Sequence, residues 1–396
     1  MDQVGVVNWD YVISGEFMRV ALFTETFLPK IDGIVTVTCL LLDHLEKRGI
    51  ETVIVAPKMG VERYNSTPII GVPGVRLPLY PELRVGPPTL STYNQLKAFQ
   101  PDVAHFIHPV LIGIPGMLMS KRLDVPTLAS FHLDVARLVR YFHLGFMEPV
   151  TDVLTRIVFN AADYSLAPSK IIQQDMLSIG VKHVGLWKRG VDPDRFDPRF
   201  RSAEMRSALS DGHPDDTLLI YVGRLSSEKQ LHQLKAVLDA VPGTRLALVG
   251  NGPAREQLEA QFAGTNTKFM GYLSGEPLSQ AYASADMFVF PSALETFGLV
   301  VVEAMAAGLP VVASRVGGVR DVVEEGRTGY TFAVNDVDGL IAGVRQIAVS
   351  RERITEMGSA ARAFAETQTW PAMMDEVIDI YARLIAERRG ERVVVA

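Results

Sequence analysis

The sequence predicts an α/β protein of two doubly wound domains, and three observations carry that prediction. Apolar runs of strand length alternate with helix-period segments along almost the whole chain, the pattern of parallel sheets covered by helices. The chain has 396 residues, too many for one compact core and enough for two ordinary domains. A strand-turn-helix unit opens each half, at Met18–Phe23 and again at Leu218–Gly223.

Composition narrows the function classes. With 21% charged and 48% hydrophobic residues and a mean hydropathy of +0.16, the chain is globular and fits no disorder class. No apolar run approaches the roughly eighteen residues of a spanning helix, and residues 1–17 lack the basic start and apolar core of a signal peptide. A cytoplasmic protein is expected. The single cysteine, Cys39, excludes internal disulfides and cysteine metal cages and reads as core filler in a helix. The net charge of −6 is uneven: residues 1–195 carry 19 Lys+Arg against 19 Asp+Glu, leaving 20 against 26 for the rest. Only the first half is poised to approach an acidic surface. No basic stripe interleaves with aromatics, so nucleic acid is not an expected partner.

In chain order, the strand Met18–Phe23 leads through the loop Thr24–Asp32 to a helix with Val35, Leu41, Leu42 and Leu45 at helical spacing. The turn holds Pro29 and Gly33 but no G-x-G-x-x-G, so the dinucleotide fingerprint is absent. Further strands are expected at Val53–Ala56, at Asp102–Phe106 after a helix ending near Phe99, and at Thr127–His132. In doubly wound sheets ligands bind beyond the carboxyl ends of strands, which makes His132 a site candidate. His105 and His108 read as structural. Between Ala136 and Phe159, Arg137, Arg140, Arg156 and His143 interleave with Leu138, Tyr141, Phe142, Phe146 and Val150. Aromatics beside arginines suit the headgroup boundary of an anionic bilayer. A core helix with solvated basic residues is the alternative. Asp192-Pro193-Asp194 spells a possible metal motif, yet Asp-Pro pairs start turns and a turn is the expectation.

In the second half, the strand Leu218–Gly223 runs into Arg224-Leu225-Ser226-Ser227-Glu228-Lys229, where two cations after a strand-end glycine make a phosphate site. Strands follow at Arg245–Val249 and near Phe269–Leu273. The stretch from Asp286 to Phe332 organises the rest: strand Met287–Phe290, a break at Pro291, and a helix that stops at Gly308. A buried strand follows at Leu309–Ala313. Glu295 precedes that helix and Glu303 lies inside it among Val300, Val301, Val302, Ala304, Met305 and Ala306, so Glu303 should be buried and should need a partner. The amides from about Phe297 to Leu299, Gly298 included, have no intrahelical acceptor, and such an end attracts an anion. Free amides flanked by carboxylates suit a ligand bearing both phosphate and hydroxyl groups, such as a sugar nucleotide. Helices are expected at Val337–Ala348 and Trp370–Arg388.

Pro291-Ser292, Glu295, Phe297-Gly298, Glu303-Ala304, Gly308, Pro310-Val311-Val312 and Gly317-Gly318 together resemble the E-x7-E signature of the retaining glycosyltransferases of family four, from about Met18 to Tyr381. The resemblance implies the GT-B fold: two Rossmann-like domains facing across a cleft, the acceptor domain at 18–195, the donor domain at 196–368, and closing helices at 369–396 that cross back, after an extension at 1–17. It implies that Arg224 and Lys229, as G-R-x-x-x-x-K, neutralise the donor diphosphate. His132 and Glu295 would lie against the sugar and Glu303 would accept the ribose hydroxyls. The main chain at Tyr272 and Leu273 would edge the base, and Gly33 would admit the diphosphate. With Phe297, Gly298 and Leu299 supplying amides, two side-chain cations and a helix end replace a metal, and no cofactor is needed.

LWKRGVDPDRFDPRFRSAEMR and LSQAYASADMFVFPSALET resemble the sulfoquinovosyltransferases of sulfolipid synthesis, whereas FTETFLPKIDGIVTVT resembles mannosyltransferases acting on phosphatidylinositol or glycolipid acceptors. The implied reaction is transfer of a sugar, with retention, from a nucleoside diphosphate to a membrane lipid hydroxyl. Sulfoquinovose from UDP-sulfoquinovose to diacylglycerol is the leading form, on an anionic membrane at its inner face. GDP-mannose- or UDP-glucose-dependent transfer stands beside it, and an epimerase or a silent binding module of the same fold is the reading from another class.

Overall fold

The computed structural model describes residues 18–30, 33–77, 80–134, 145–188, 190–295 and 298–391. The chain divides into two units, Met1–Lys188 with Pro371–Ala396, and Arg189–Trp370.

The first unit is built on β1 (Arg19–Thr24), β2 (Glu51–Pro57), β3 (Arg63–Tyr64), β4 (Thr67–Val72), β5 (Val75–Leu77), β6 (Tyr80–Val85), β7 (Val103–Ile107), β8 (Thr127–Ser130), β9 (Tyr164–Ala167) and β10 (Val184–Leu186). Eight of them form one sheet in the order β10-β9-β8-β7-β1-β2-β4-β3, parallel except for β3 against β4. The central strands are apolar without alternation because helices cover both faces: Val20, Ala21 and Leu22 are fully buried, and so are Ile54, Val55 and Ala56. The strand expected to end on His132 stops two residues earlier. Phe131 N–H makes a last bond to Leu166 O and the backbone then leaves the ladder, which places His132 in the loop beyond the sheet edge. A separate antiparallel pair, β5 with β6, departs from the all-parallel expectation.

Helix Gly33–Lys47 buries Val35, Leu41, Leu42 and Leu45 as its spacing requires. Cys39, on the same helix, is not core filler. It is half-buried beside Tyr64 and Asp43, and burial pushes its thiol up to about 11, so it stays protonated and inert. The last helix, Trp370–Arg389, belongs to this unit from Pro371 onward. It buries Met374, Val377, Ile378 and Tyr381, and its basic end reaches Asp124 and Asp163 through Arg388.

The second unit holds β11 (Thr217–Val222), β12 (Thr244–Val249), β13 (Thr267–Gly271), β14 (Met287–Phe290), β15 (Val311–Ser314) and β16 (Gly329–Phe332) in the wholly parallel order β13-β12-β11-β14-β15-β16. Helix Leu299–Ala306 is closed by Gly308 at φ 77, the left-handed turn that glycine adopts without penalty. Helix Val337–Ala348 has the bounds read from the sequence, capped by the Asp336 side chain on Gly339 N–H. Asp192 makes a turn: its Oδ1 accepts the amides of Asp194 and Arg195 at 3.0 Å each.

Asp286 fastens this sheet from below. Its side chain is 3% exposed, and its Oδ2 accepts Arg206 Nη2 at 2.7 Å and Leu218 N–H at 2.8 Å, tying the start of β14 to β11, while Arg351 lies 2.8 Å from Oδ1. Replacing Asp286 by Ala leaves the buried Arg206 guanidinium without its counter-charge, a change that costs about 3–5 kcal/mol. Urea unfolding of Asp286→Ala should show a matching loss, and an unchanged midpoint would refute this account of the pair.

Candidate active site

The strand order of the second unit reverses direction between β11 and β14, and the loops that leave their carboxyl ends lie side by side there, the usual binding crevice of an open parallel sheet. Gly223, at φ 150, turns the chain out of β11. Arg224 follows, exposed to solvent, while Tyr221 Oη donates to its carbonyl at 2.9 Å. Lys229 closes a short 3-10 turn, Ser227–Lys229.

From the neighbouring loop Glu295 reaches across. Its Oε2 lies 3.1 Å from Lys229 Nζ, both side chains are about one-fifth exposed, and Lys229 also sits 5.3 Å from the Phe290 ring centroid. Main chain reinforces the junction, with Ala293 N–H donating to Glu228 O at 2.8 Å. The lysine expected to meet a diphosphate is thus paired with the neighbouring loop's carboxylate. Gly298, at φ 87, turns the loop into helix Leu299–Ala306, and Val301 N–H closes the first bond onto Gly298 O. A Cβ at Gly298 would meet Val301 and Val319 at 3.3 Å in a conformation that side chains resist. The Leu299 and Val300 amides are left at the helix start. Phe297 lies outside the described residues.

Glu303 is half-buried, and its partner is Tyr282, whose hydroxyl donates to Oε2 at 2.9 Å. Burial raises the carboxyl above its ordinary range, against the lowering pull of Tyr282 and of the Arg195 charge. Tyr282 itself is fully buried in helix Gly275–Ala283, edge-on to Phe196. Neither Tyr282 nor Arg195 was foreseen. A hydrophobic Ala-Tyr-Ala stretch signals core, and only the fold brings that phenol to a carboxylate. Tyr272, 65% exposed, and Leu273 follow β13, two strands from β11.

The remaining candidates belong to the first unit. Gly33 is the exposed first residue of its helix. His132 is buried, with Nε2 2.8 Å from Ser130 Oγ and its ring edge-on to Trp187 at 5.6 Å. His105 is structural as expected, bonded to Tyr381 and Ser130. His108 adopts φ 51, and its Nδ1 accepts the His132 and Leu133 amides at 3.3 and 3.4 Å. Glu25, another unforeseen residue, takes the amides of Val110, Ile112 and Gly113 and so occupies the start of helix Gly113–Arg122.

A cavity of about 700 Å³ lies at the amino edge of the second sheet, lined by Arg201, Arg206, Asp286, Arg351 and Arg362. It does not resemble a phosphate cradle: Arg206 and Arg362 are spent on main-chain carbonyls and on Asp286 and Asp197. No cluster of three or more metal-ligating side chains occurs among the described residues.

Two Rossmann-like units, the second with paired cations, flanking carboxylates and a helix start at its switch point, define a GT-B glycosyltransferase. The Glycosyltransferase Family 4 domain matches residues 31–195 and the "Glycosyl transferases group 1" domain residues 209–364. The chain is 37% identical over 372 residues to the sulfoquinovosyl transferase of Arabidopsis thaliana, covering 91% of this chain and 72% of that protein. It is 35% identical over 382 residues to a GDP-mannose-dependent alpha-mannosyltransferase of Mycolicibacterium smegmatis, covering 94% and 99%. In fold it matches Anabaena HepE in complex with UDP and glucose, at TM-score 0.71 and 19% identity, covering 92% and 99%. It also matches a sucrose-phosphate synthase of Thermosynechococcus elongatus, at 0.72 and 21%, covering 93% and 100%. The chain belongs to glycosyltransferase family 4.

His108 gives this unit an acid sensitivity. Burial pushes its imidazole down to about 4 from an ordinary 6.5, so the unfolded chain binds this proton at a pH where the folded one does not. Its contribution is fully present above about pH 6.5 and is lost as pH falls towards 4. His108→Asn should flatten the decline in unfolding free energy between pH 7 and pH 4.5, and a variant as acid-sensitive as the parent would contradict this.

Proposed function

We propose that this protein transfers a sugar, with retention of configuration, from a nucleoside diphosphate to the hydroxyl of a membrane lipid, and that UDP-sulfoquinovose and diacylglycerol are the pair it uses. The observation that carries the reading is the junction of Lys229, Glu295 and the helix start at Gly298 at the switch point of the second sheet. The transition state of such a transfer resembles an oxocarbenium ion leaving a diphosphate, and the useful groups are cations and amides on the leaving oxygens. Arg224 and Lys229 take those oxygens together with the amides beyond Gly298, and a diphosphate displaces Glu295 from Lys229 so that the carboxylate turns to the sugar. Glu303, steadied by Tyr282, accepts the ribose hydroxyls. Tyr272 and Leu273 edge the base, Gly33 admits the diphosphate, and His132 meets the sugar. The leaving charge is met without a metal or another cofactor.

Similarity to the Arabidopsis sulfoquinovosyl transferase supports the choice of sugar. Near-equal similarity to GDP-mannose-dependent mannosyltransferases, over almost their whole length, favours GDP-mannose as the second reading. The deciding assay offers UDP-sulfoquinovose, UDP-glucose and GDP-mannose in turn with diacylglycerol vesicles and weighs the lipid products by mass spectrometry. Sulfoquinovosyl diacylglycerol is expected, and a mannolipid alone would overturn the choice of donor. Arg224→Ala and Lys229→Ala should each lower turnover about a hundredfold, the scale of one lost preorganised electrostatic donor. Parent-like rates in both would remove the diphosphate assignment.

A lipid acceptor calls for peripheral contact at the cytoplasmic face of a membrane. No helix among the described residues is long and apolar enough to cross one. Arg137, Arg140, Tyr141 and Phe142 lie outside the described residues. What supports contact is the following helix, Glu148–Ala161, which with Phe146 presents Val150, Val153, Leu154 and Ile157 to solvent, 43–78% exposed, at i, i+4, i+7, i+8 and i+11. Val150, Leu154 and Ile157 changed together to Ser should cut sedimentation with anionic liposomes severalfold while leaving UDP binding intact. Undiminished sedimentation would move the contact elsewhere.

A further inference from the structure

We propose that a buried hydrogen-bond chain, Tyr381–His105–Ser130–His132, sets the tautomer of His132, making Tyr381 on the last helix a positioning residue for the transfer step. The proposal rests on the reading of His132 as the group that meets the sugar. Tyr381 Oη lies 2.6 Å from His105 Nδ1, His105 Nε2 lies 3.0 Å from Ser130 Oγ, and Ser130 Oγ lies 2.8 Å from His132 Nε2. Three of the four side chains are at most 1% exposed and His132 is 8% exposed, so water does not substitute along the chain.

Each link needs one donor and one acceptor; the phenol fixes the direction of the first two and the buried serine hydroxyl that of the third. Tyr381 is fully buried, burial keeps its proton on, and among the described residues its hydroxyl meets His105 Nδ1. A buried O–H with no acceptor is costly, so Tyr381 donates. His105 therefore accepts at Nδ1, carries its hydrogen on Nε2 and donates to Ser130 Oγ. Ser130 is 1% exposed and its hydroxyl bonds, among the described residues, only the two rings, so its hydrogen, which His105 Nε2–H cannot accept, goes to His132 Nε2. His132 accepts there and carries its ring hydrogen on Nδ1. The opposite direction would begin with His132 Nε2–H and end with the tyrosine proton stranded in the core. No proton changes owner in this arrangement; what travels along the chain is the choice of which ring nitrogen bears the hydrogen.

The residues come from two neighbouring strands, the loop beyond one of them, and a helix far along the sequence. His105 is on β7, Ser130 ends β8, and Tyr381 enters on helix Trp370–Arg389, 276 residues from His105. Docking of that helix is thereby coupled to the chemistry of a loop it does not form.

The test is nitrogen NMR of histidine-labelled full-length protein, His132 being assigned by the signal missing from His132→Ala. In the parent, His132 should show a protonated Nδ1 and an accepting Nε2. Ser130→Ala, which removes the donor at the last link, should shift His132 towards the Nε2–H form and lower kcat severalfold with the donor and acceptor found productive, leaving UDP affinity unchanged. Ser130→Thr, which keeps a hydroxyl, should restore both. Tyr381→Phe should give mixed tautomers. A parent His132 bearing its hydrogen on Nε2, or unchanged tautomer and kcat in both Ser130→Ala and Tyr381→Phe, overturns the proposal. Parent-like turnover of His132→Ala would instead overturn the reading of His132, and it leaves the NMR result to stand separately.

Discussion

Parallel pairing of β11 with β12 on one side and β14 on the other is the constraint from which the second unit follows. Because successive connections leave those strands towards opposite wings of the sheet, their terminal loops cannot cover one another and a gap opens between them. The junction of Lys229, Glu295 and the helix start at Gly298 is hung on that gap. Gly223 turns out of β11, Pro291 breaks β14, and Lys229 and Glu295 reach towards each other from the two loops. The first unit has the same reversal between β1 and β7, and there Glu25 spans it to take the amides at the start of helix Gly113–Arg122. The two reversals differ in what their carboxylates meet: Glu25 takes amides alone, whereas Glu295 is paired with a lysine.

The second reversal is also balanced without ligand. A lone lysine beside an amide-rich helix end would be a concentrated positive field in a partly dry site, and Glu295 offsets it at 3.1 Å. Glu303 is stabilised differently: among the described residues its hydrogen-bond partner is one phenol and no cation is paired with it. The second unit thus holds one carboxylate bonded to a cation and one bonded to a phenol.

Much of this was legible in the sequence, for physical reasons. The strand Met287–Phe290 and the helix Val337–Ala348 are bounded by punctuation that has one structural meaning each, proline in the first case and an aspartate cap in the second. The carboxylates at 295 and 303 stood out because they interrupt small or apolar surroundings. The Lys229–Glu295 bond was not legible, since its ends are 66 residues apart and only the sheet order brings them together. Tyr282 and Tyr381 read as core, which they are, and their hydroxyls gain meaning from partners that sequence spacing does not reveal. The β5–β6 pair escaped notice because Pro78 and Pro81 interrupt its apolar pattern.

The final helix packs into a unit whose other residues end at Lys188, with the whole of Arg189–Trp370 interposed. During synthesis the first unit therefore emerges lacking a helix that buries Met374, Val377, Ile378 and Tyr381 against it. The second unit is continuous and has all its strands before that helix leaves the ribosome. Vectorial synthesis thus has every residue of the later unit in hand before the earlier one gains the helix that packs into it.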